Sequence, residues 1–454
     1  MQKLMTGLLL AIMLIAPLGS AEAAKPKADQ DEFYEQLDLL MRIFERVRSE
    51  YVDEVDDKEV IEAAIQGMLR SLDPHSTYMN PDIYQQISVQ MKGEYGGLGI
   101  EVQMENGVVK VVSPIDDTPA AKADIRGGDL ITHINGDAIV GKTLTEAVKV
   151  MRGPIGSTIN ITIVREDEPA PFDVEIIREK ILVRSVRHRI EDETIGYIRV
   201  TTFNMQSGEG VEKAIKSITG QLGDNLDGVI LDLRNNPGGL LDEAIRISDA
   251  FLDRGEIVST RGRRRQNNNR WYATEGDLLS GVPLVVLTNA YSASASEIVA
   301  GALQDHRRAV VLGDKTFGKG TVQSEIRLGR KGDRAIRLTT ARYFTPSGRS
   351  IQGRGVEPDI ELLLPRRGRR NAPRREADLN GFIENDQQSI DKAGEEDSVD
   401  HTAKTPAVEP KTISAPKETA ETEQQTVDVQ LKYAIKLLKN MSNLPQEQVA
   451  EVRQ

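Results

Sequence analysis

The chain has 454 residues, 39% of them apolar and 28% charged, with a formal net charge of −12 and no cysteine. At roughly 100 to 200 residues per domain, this length predicts two to four domains. The missing cysteine excludes disulfides, a Cys nucleophile, Cys-ligated zinc and iron–sulfur clusters, five histidines argue against a histidine-rich metal site, and the acidic balance argues against nucleic acid, whose phosphates need a basic face.

Lys3 precedes an apolar run from Leu8 to Leu18, and Ser20-Ala21-Glu22-Ala23-Ala24 follows with small residues where a leader peptidase cuts. The pattern predicts a signal peptide over residues 1–23 and an exported chain. The run is short of the ~20 residues that span a bilayer as a helix; an uncleaved leader acting as a membrane anchor is the alternative. From 32 to 51, Phe33, Leu37, Leu40, Phe44, Val47 and Tyr51 recur at spacings of three and four, and Val60, Ala64, Met68 and Leu69 continue the pattern. These are amphipathic helices, grouped as an N-terminal helical segment over 30–85 that ends near Leu72-Asp73-Pro74-His75-Ser76. Such stripes form core or a dimer contact, and no chemistry is assigned to them.

Residues 86–168 predict a compact β-rich module. Gly93, Gly96, Gly97 and Gly99 are followed by alternating segments such as Val108-Val109-Lys110-Val111-Val112 and Ile159-Asn160-Ile161-Thr162-Ile163, the period of short strands. From 175 to 365, apolar strands at 228–233, 284–287 and 309–312 alternate with helical stretches at 241–252 and 295–304, which indicates an α/β layer with a mainly parallel sheet. After Pro365 come six arginines within 366–375, then fourteen acidic against four basic side chains over 376–428. Too little apolar area remains there to offset ordering entropy, so 366–428 reads as a disordered charged linker. Leu431, Ile435, Leu438 and Met441 predict a short helix within 429–454, docked on the body or on a second subunit.

The chemistry concentrates at Asn289-Ala290-Tyr291-Ser292-Ala293-Ser294-Ala295-Ser296-Glu297, between an apolar strand and a helix. A serine at such a junction is accessible, and the helix N-terminus offers unpaired N–H groups to an oxyanion. On this stretch alone an ordinary N-cap is the simpler account of a serine there, since Ser favours that position. A serine nucleophile needs a base. His75 follows a turn, His133 lies in the β module, His188 is in an Arg-rich strand, His401 is in the tail and His306 is three turns away. A lysine desolvated towards neutrality serves instead. Lys319, in Thr316-Phe317-Gly318-Lys319-Gly320-Thr321-Val322-Gln323, follows the next strand, so in a parallel sheet it projects from the same edge as the serine.

Ser292-Ala293-Ser294-Ala295-Ser296-Glu297, followed about 25 residues later by Phe317-Gly318-Lys319-Gly320-Thr321-Val322-Gln323, resembles the carboxyl-terminal processing peptidases, or tail-specific proteases. Asp232-Leu233-Arg234-Asn235-Asn236-Pro237-Gly238-Gly239-Leu240, a PDZ-like module and the Leu72–Ser76 turn extend the likeness over residues 33–365. The resemblance implies a crotonase-like α/β core with a Ser–Lys dyad: Ser294 as nucleophile, Lys319 as general base, and Gln323, one helical turn on, orienting the lysine. It also implies an oxyanion hole from the N–H of Ala295 and that of Gly238 or Gly239. Gly96-Gly97-Leu98-Gly99-Ile100 resembles the PDZ loop that captures a chain terminus while the peptide adds to a sheet edge. Arg152 matches an arginine that couples an occupied PDZ domain to the active site; a plain surface charge is the alternative.

The reading implied is an exported, periplasmic serine endopeptidase that selects exposed C-terminal tails and cleaves through an acyl-enzyme. It uses no metal and no other cofactor, and its partners are protein substrates, an envelope adaptor lipoprotein and further copies of the chain. Four other readings compete. Gly313-Asp314-Lys315-Thr316-Phe317-Gly318-Lys319 satisfies a phosphate-loop pattern, but Gly320 stands where Ser or Thr should ligate magnesium. A pseudoenzyme that only binds peptides would be free to lose Ser294, Lys319 or Gln323. Arg263-Arg264-Arg265 with Trp271 could suggest nucleic acid, and the arginines at 366–375 an anionic lipid or polymer; solvated loops are the simpler account.

Overall fold

The computed structural model describes residues 27–330, 332–363, 373–385 and 428–442. The expected leader, the arginine run up to 372, the acidic stretch 386–427 and the chain beyond 442 lie outside the described residues. The chain divides into two compact units, Met1–Ile65 and Gln66–Gln454. The first holds α1 (Lys27–Glu50) and the start of α2 (Asp57–Arg70). Asp57 and Glu59 in the first turn of α2 and Arg70 in its last complement the helix dipole. The apolar stripe of α1 does not form core: Phe33, Leu37, Leu40 and Val47 are exposed.

In the second unit, β1 (Thr77–Met79) leads to α3 (Pro81–Lys92), a helix the sequence reading did not anticipate and into which the expected module boundary at 86 falls. Its signals are local: the Asn80 side chain accepts the Ile83 N–H at 3.0 Å, Pro81 supplies a helical φ, and Gly93 ends it with φ 68°.

The β-rich module contains β2 (Glu94–Gly97), β3 (Ile100–Glu105), β4 (Val108–Pro114), α4 (Pro119–Lys122), β5 (Leu130–Ile134), β6 (Asp137–Ala138), α5 (Leu144–Met151), β7 (Thr158–Val164) and β8 (Phe172–Ile177). The strands pair antiparallel in the order β3-β4-β5-β7-β8, which leaves β3 at an edge. Alternate residues Val109, Val111, Ile131, Ile159, Ile161 and Ile163 point into one core with Ala147 and Met151 of α5. A reciprocal capping box between Thr143 and Glu146 starts α5. The sheet runs to Ile177, past the boundary at 168, because β8 is needed to cover β7. β9 (Glu179–Leu182) then returns to pair with β2.

The largest core is built on β10 (Val186–Glu191), β11 (Ile195–Val200), α6 (Ser207–Leu222), β12 (Gly228–Asp232), α7 (Leu241–Asp249), β13 (Glu256–Gly262), β14 (Arg270–Tyr272), β15 (Leu284–Thr288), α8 (Ala295–Asp305) and β16 (Val310–Gly313). After it come β17 (Thr321–Leu328), β18 (Arg334–Phe344), β19 (Ile360–Glu361) and α9 (Val429–Ser442). One sheet runs β10-β11-β12-β15-β16-β19, parallel except for β10. Its central strands β12 and β15 are buried on both faces, as a sheet covered on both sides requires. Ile198, Val200, Val229, Leu231, Leu284, Val286 and Val311 meet α6, α7 and α8. Ile195, Tyr197, Ile230, Val285, Leu287 and Leu312 face the other way, where Ala434 and Leu438 of α9 cover them. The C-terminal helix thus docks on the body of its own chain.

A second, antiparallel sheet was not legible as such. In it β18 pairs with β1, β13 and β17, and β14 pairs with β13. The expectation of disorder over 366–428 fails at residues 373–385, which pack with Glu376 fully buried and Asn385 nearly so. Charge content misled there: Arg375 pairs with Asp314 and Glu376 with His75, so charges that look solvating in the sequence are docking groups.

Candidate active site

β12, β15 and β16 are parallel neighbours, so the loops that follow them emerge at one edge of the sheet. In order they carry Pro237-Gly238-Gly239, Ser292-Ala293-Ser294 and Lys315–Gly320. The shared edge expected for the serine and lysine segments is therefore present, with the glycine turn beside them.

The three serines have different surroundings. Ser292 Oγ donates to the Leu233 carbonyl and Ser296 Oγ to the Asn236 carbonyl, each at 2.9 Å, and both residues are fully buried. They pin the serine loop to the glycine turn. Ser294 occupies the N-cap position of α8 at φ 57° and ψ −112°, a conformation that strains any residue with a Cβ. Its side chain meets the phenol of Tyr343, which burial holds above the usual tyrosine range while the Ser294 hydrogen bond opposes that rise. Only Ser294 has a hydroxyl not bound to the backbone of the glycine turn.

Around it lie two kinds of donor. Ala295 opens the helix, and its N–H has no intrahelical acceptor. Gly238, at φ 99°, is so close that a Cβ there would stand 2.7 Å from the Ala293 carbonyl oxygen and 3.0 Å from the Ala295 nitrogen. The Gly238 N–H, however, donates to Asn236 Oδ1 at 2.9 Å. The Gly239 N–H has no acceptor among the described residues, and a Cβ at 239 would collide with the Phe203 carbonyl at 2.1 Å. Both glycines are thus required, for different contacts.

Glu297 joins the serine and lysine segments, and the sequence reading gave it no role. Its Oε2 accepts the N–H of Ser294 at 2.7 Å and that of Lys319 at 2.9 Å. Its Oε1 accepts the Gly318 N–H at 2.7 Å and the Thr316 hydroxyl at 2.5 Å. Burial pushes this carboxyl up to about 7, against the four donors that favour its ionised form. The signal was present, since Ser294-x-x-Glu297 is the capping-box spacing. One further tie runs between the loops, Phe317 N–H to the Ser292 carbonyl at 3.0 Å, and Tyr343 N–H of β18 donates to the Gly320 carbonyl at 2.8 Å. Because the N–H groups of 318 and 319 are aimed at a carboxylate, this loop has no phosphate cradle.

The Lys319 amine makes no hydrogen bond or ion pair among the described residues. Burial holds it below the usual lysine range; Glu376, Glu297 and Asp73 oppose that lowering, and Arg337 adds to it. Gln323 is not a helical turn beyond the lysine. It lies on β17 at an irregularity in the pairing with β18, and its Nε2 donates to Thr321 Oγ1 at 2.9 Å and Thr339 Oγ1 at 3.4 Å. Thr339 in turn donates to Asp73 at 3.1 Å, and Asp73 accepts the N–H groups of His75 and Ser76. The Asp73–Ser76 turn is therefore part of the wall behind Gln323. Its signal was the Asx-turn potential of an aspartate before proline.

In the β-rich module, Gly96 and Gly97 belong to β2 and pair with Lys180 and Glu179, which narrows the expected loop to Leu98 and Gly99, with Ile100 already the first residue of β3. Leu98 and Ile100 line the same apolar core as Leu144 and Val148 of α5, and the loop leads into edge strand β3. Arg152 lies over the Tyr95 ring at 4.2 Å, a contact within the module.

Comparison with known proteins agrees with this organisation. Residues 194–362 match the model of peptidase family S41, residues 96–176 that of a PDZ domain, and residues 15–83 that of the activating protease CtpB N-terminal domain. The chain is 51% identical over 370 residues to a carboxy-terminal-processing protease of Bartonella bacilliformis, covering 81% of this chain and 85% of that one. It is 34% identical over 353 residues to the carboxy-terminal processing protease CtpB of Bacillus subtilis, covering 77% and 72%. A solved structure, the photosystem II D1 C-terminal processing protease, aligns at 28% identity over 72% of this chain and 93% of its own, with a TM-score of 0.41.

Proposed function

The chain belongs to peptidase family S41 as a carboxy-terminal processing serine protease with a PDZ domain, and from that premise we propose that it cleaves through a Ser294–Lys319 dyad. Neutral Lys319 takes the proton of Ser294 as Oγ attacks the scissile carbonyl. The oxyanion that forms accepts the N–H groups of Ala295 and Gly239. Lysine then returns the proton to the leaving amine, an acyl-enzyme remains, and a water activated by the same lysine releases it. The observation that carries this reading is the Glu297 carboxylate, which holds the backbones of both dyad residues on one oxygen. Gly239 is preferred to Gly238 as the second donor because the Gly238 N–H is spent on Asn236.

Around this chemistry the finer reading is an exported enzyme of the cell envelope with a crotonase-like core. The PDZ domain holds a substrate's C-terminal tail along β3, with its carboxylate at the Leu98–Gly99 loop. Tethering the tail there raises the local concentration of the chain to be cut. The leader pattern supports export, and the exposed stripe of α1 supports self-association through that helix. An adaptor lipoprotein remains part of the reading through the family resemblance.

The test is cleavage of a protein with an unstructured C-terminal tail by wild type, Ser294→Ala and Lys319→Ala, with folding followed by circular dichroism. Both variants should be folded and inactive, and wild type should accumulate a covalent acyl-enzyme with a slowly hydrolysed ester. Turnover by either variant would refute the dyad.

A further inference from the structure

The segment 373–385 lies beyond the region that matches the protease family, yet it reaches the lysine loop. Arg375 donates to the carbonyls of Lys315 at 2.7 Å and Thr316 at 2.6 Å, and to Asp314 Oδ1 at 3.1 Å. The Glu376 N–H donates to the Phe317 carbonyl at 3.1 Å. The Glu376 carboxylate is fully buried; His75 Nε2 stands 2.9 Å from both of its oxygens, and Gln352 Nε2 donates to it at 3.1 Å. Gln352 also accepts the N–H of Gly320, the residue after the lysine, at 2.9 Å. Its Nε2 donates to the Ile383 carbonyl at 2.9 Å, and its own carbonyl accepts Asn385 Nδ2 at 2.9 Å. Glu376 therefore ties together the Asp73–Ser76 turn and the Gln352 turn through its carboxylate, and the lysine loop through its own N–H and through Gln352.

A buried carboxylate is costly to keep and is retained where its charge or its geometry is used. We propose that Glu376 is a positioning residue of the reaction, and that segment 373–385 completes the active site by carrying this carboxylate to the Lys319 loop. The inference rests on Lys319 being the general base. The charged groups that face the lysine are Glu376, Arg337, Glu297 and Asp73, contributed by this segment, β18, α8 and the Asp73–Ser76 turn. Of the three acidic ones, Glu376 opposes the effect of burial most strongly. It keeps the amine basic enough to accept a proton while burial keeps it neutral, the balance that general-base catalysis needs.

The experiment measures kcat and KM against pH for wild type, Glu376→Gln, Glu376→Asp and Arg375→Ala on one tail-exposed substrate, with Lys319→Ala alongside. Glu376→Gln keeps the shape and removes the charge. KM should stay near the wild-type value, plateau kcat should fall roughly tenfold, and the acid limb should move to lower pH because a charge favouring the ammonium is gone. Glu376→Asp should return the limb to its wild-type position. Arg375→Ala, which loosens the segment but leaves the carboxylate, should move the limb in the same direction as Gln, and it decides the matter if Glu376→Gln fails to fold. Slower variants whose limb does not move would overturn the proposal and leave Glu376 a structural residue, with the dyad intact. Turnover by Lys319→Ala would overturn the dyad and this proposal together.

Discussion

The backbone amides of Ser294 and Lys319 donate to a single atom, Oε2 of Glu297, at 2.7 and 2.9 Å. The 24 residues between them in the chain are thereby reduced to a bridge of two hydrogen bonds. Glu297→Gln places an amide N–H₂ among groups that are all donors, so one of the two loops has to move. A displacement of about 1 Å costs on the order of a hundredfold in rate. The expected result is a folded protein with kcat/KM down by about that factor on a tail peptide. Glu297→Ala should be worse, since it leaves buried donors unpaired at about 1–3 kcal/mol each, and its urea midpoint should fall clearly below that of the Gln variant.

The serine cluster separates chemistry from architecture. Ser292→Ala and Ser296→Ala each remove a buried hydroxyl from a backbone carbonyl, so each should lower stability by about 1–3 kcal/mol while retaining measurable cleavage. Ser294→Ala should do the reverse for activity, with no cleavage, while its stability cost is confined to the one hydrogen bond its hydroxyl makes with the buried Tyr343 phenol, about 1 kcal/mol. A Ser292→Ala or Ser296→Ala variant as inactive as Ser294→Ala would show that the nucleophile has been misassigned.

Burial lowers the Lys319 amine from its ordinary range, near 10.4 in water. Only the neutral amine can accept the serine proton, so kcat/KM should rise with pH along a limb below that ordinary value. The stability effect has a definite sign. Between the folded and unfolded values the unfolded chain binds more protons, so this group's contribution to stability rises with pH in that window, and its cost is complete below the folded value. Lys319→Met should therefore be inactive at every pH yet melt roughly 2 °C above wild type at neutral pH. A lower melting temperature would mean that the amine is held more favourably than burial alone implies.

The mainly parallel sheet and the edge that carries the site were readable because β12, β15 and β16 are apolar runs separated by helices, a pattern with few topological solutions. The roles of Ser294, Lys319 and the glycine pair came from the family resemblance, with the shared sheet edge as its physical support. Three features were not readable. Gln323 continues a segment of mixed polarity, and only pairing with β18 makes it a strand. β1 is three residues long and acquires its conformation from the same partner. Glu376 sits in a stretch whose average charge predicts disorder, and its burial depends on His75, about 300 residues earlier. Each depends on a long-range partner that no local window contains.

The C-terminal helix offers a test of how far the body of the protease extends. Ala434, Leu438 and Met441 of α9 are buried, and Leu438 fills the space left by Gly228 on β12, where a Cβ would lie 2.7 Å from Leu438 Cδ2. At the other end of the helix, Arg234 joins Asp428 at 2.7 Å and Asp232 at 2.6 Å, and Arg234 lies three residues before the Pro237-Gly238-Gly239 turn. Removing α9 should uncover the apolar face formed by Tyr197, Ile230, Val285 and Leu287 and free the arginine below the turn. Leu438→Asp puts a charge into that core and should cost several kcal/mol, lowering the melting temperature and abolishing cleavage together. Asp428→Ala leaves the apolar contact and removes one partner of Arg234. It should cost about 1 kcal/mol in stability but lower kcat more than KM, because the turn carrying the oxyanion donor loses part of its support. Equal loss of stability and unchanged kcat in Asp428→Ala would confine the helix to a structural role.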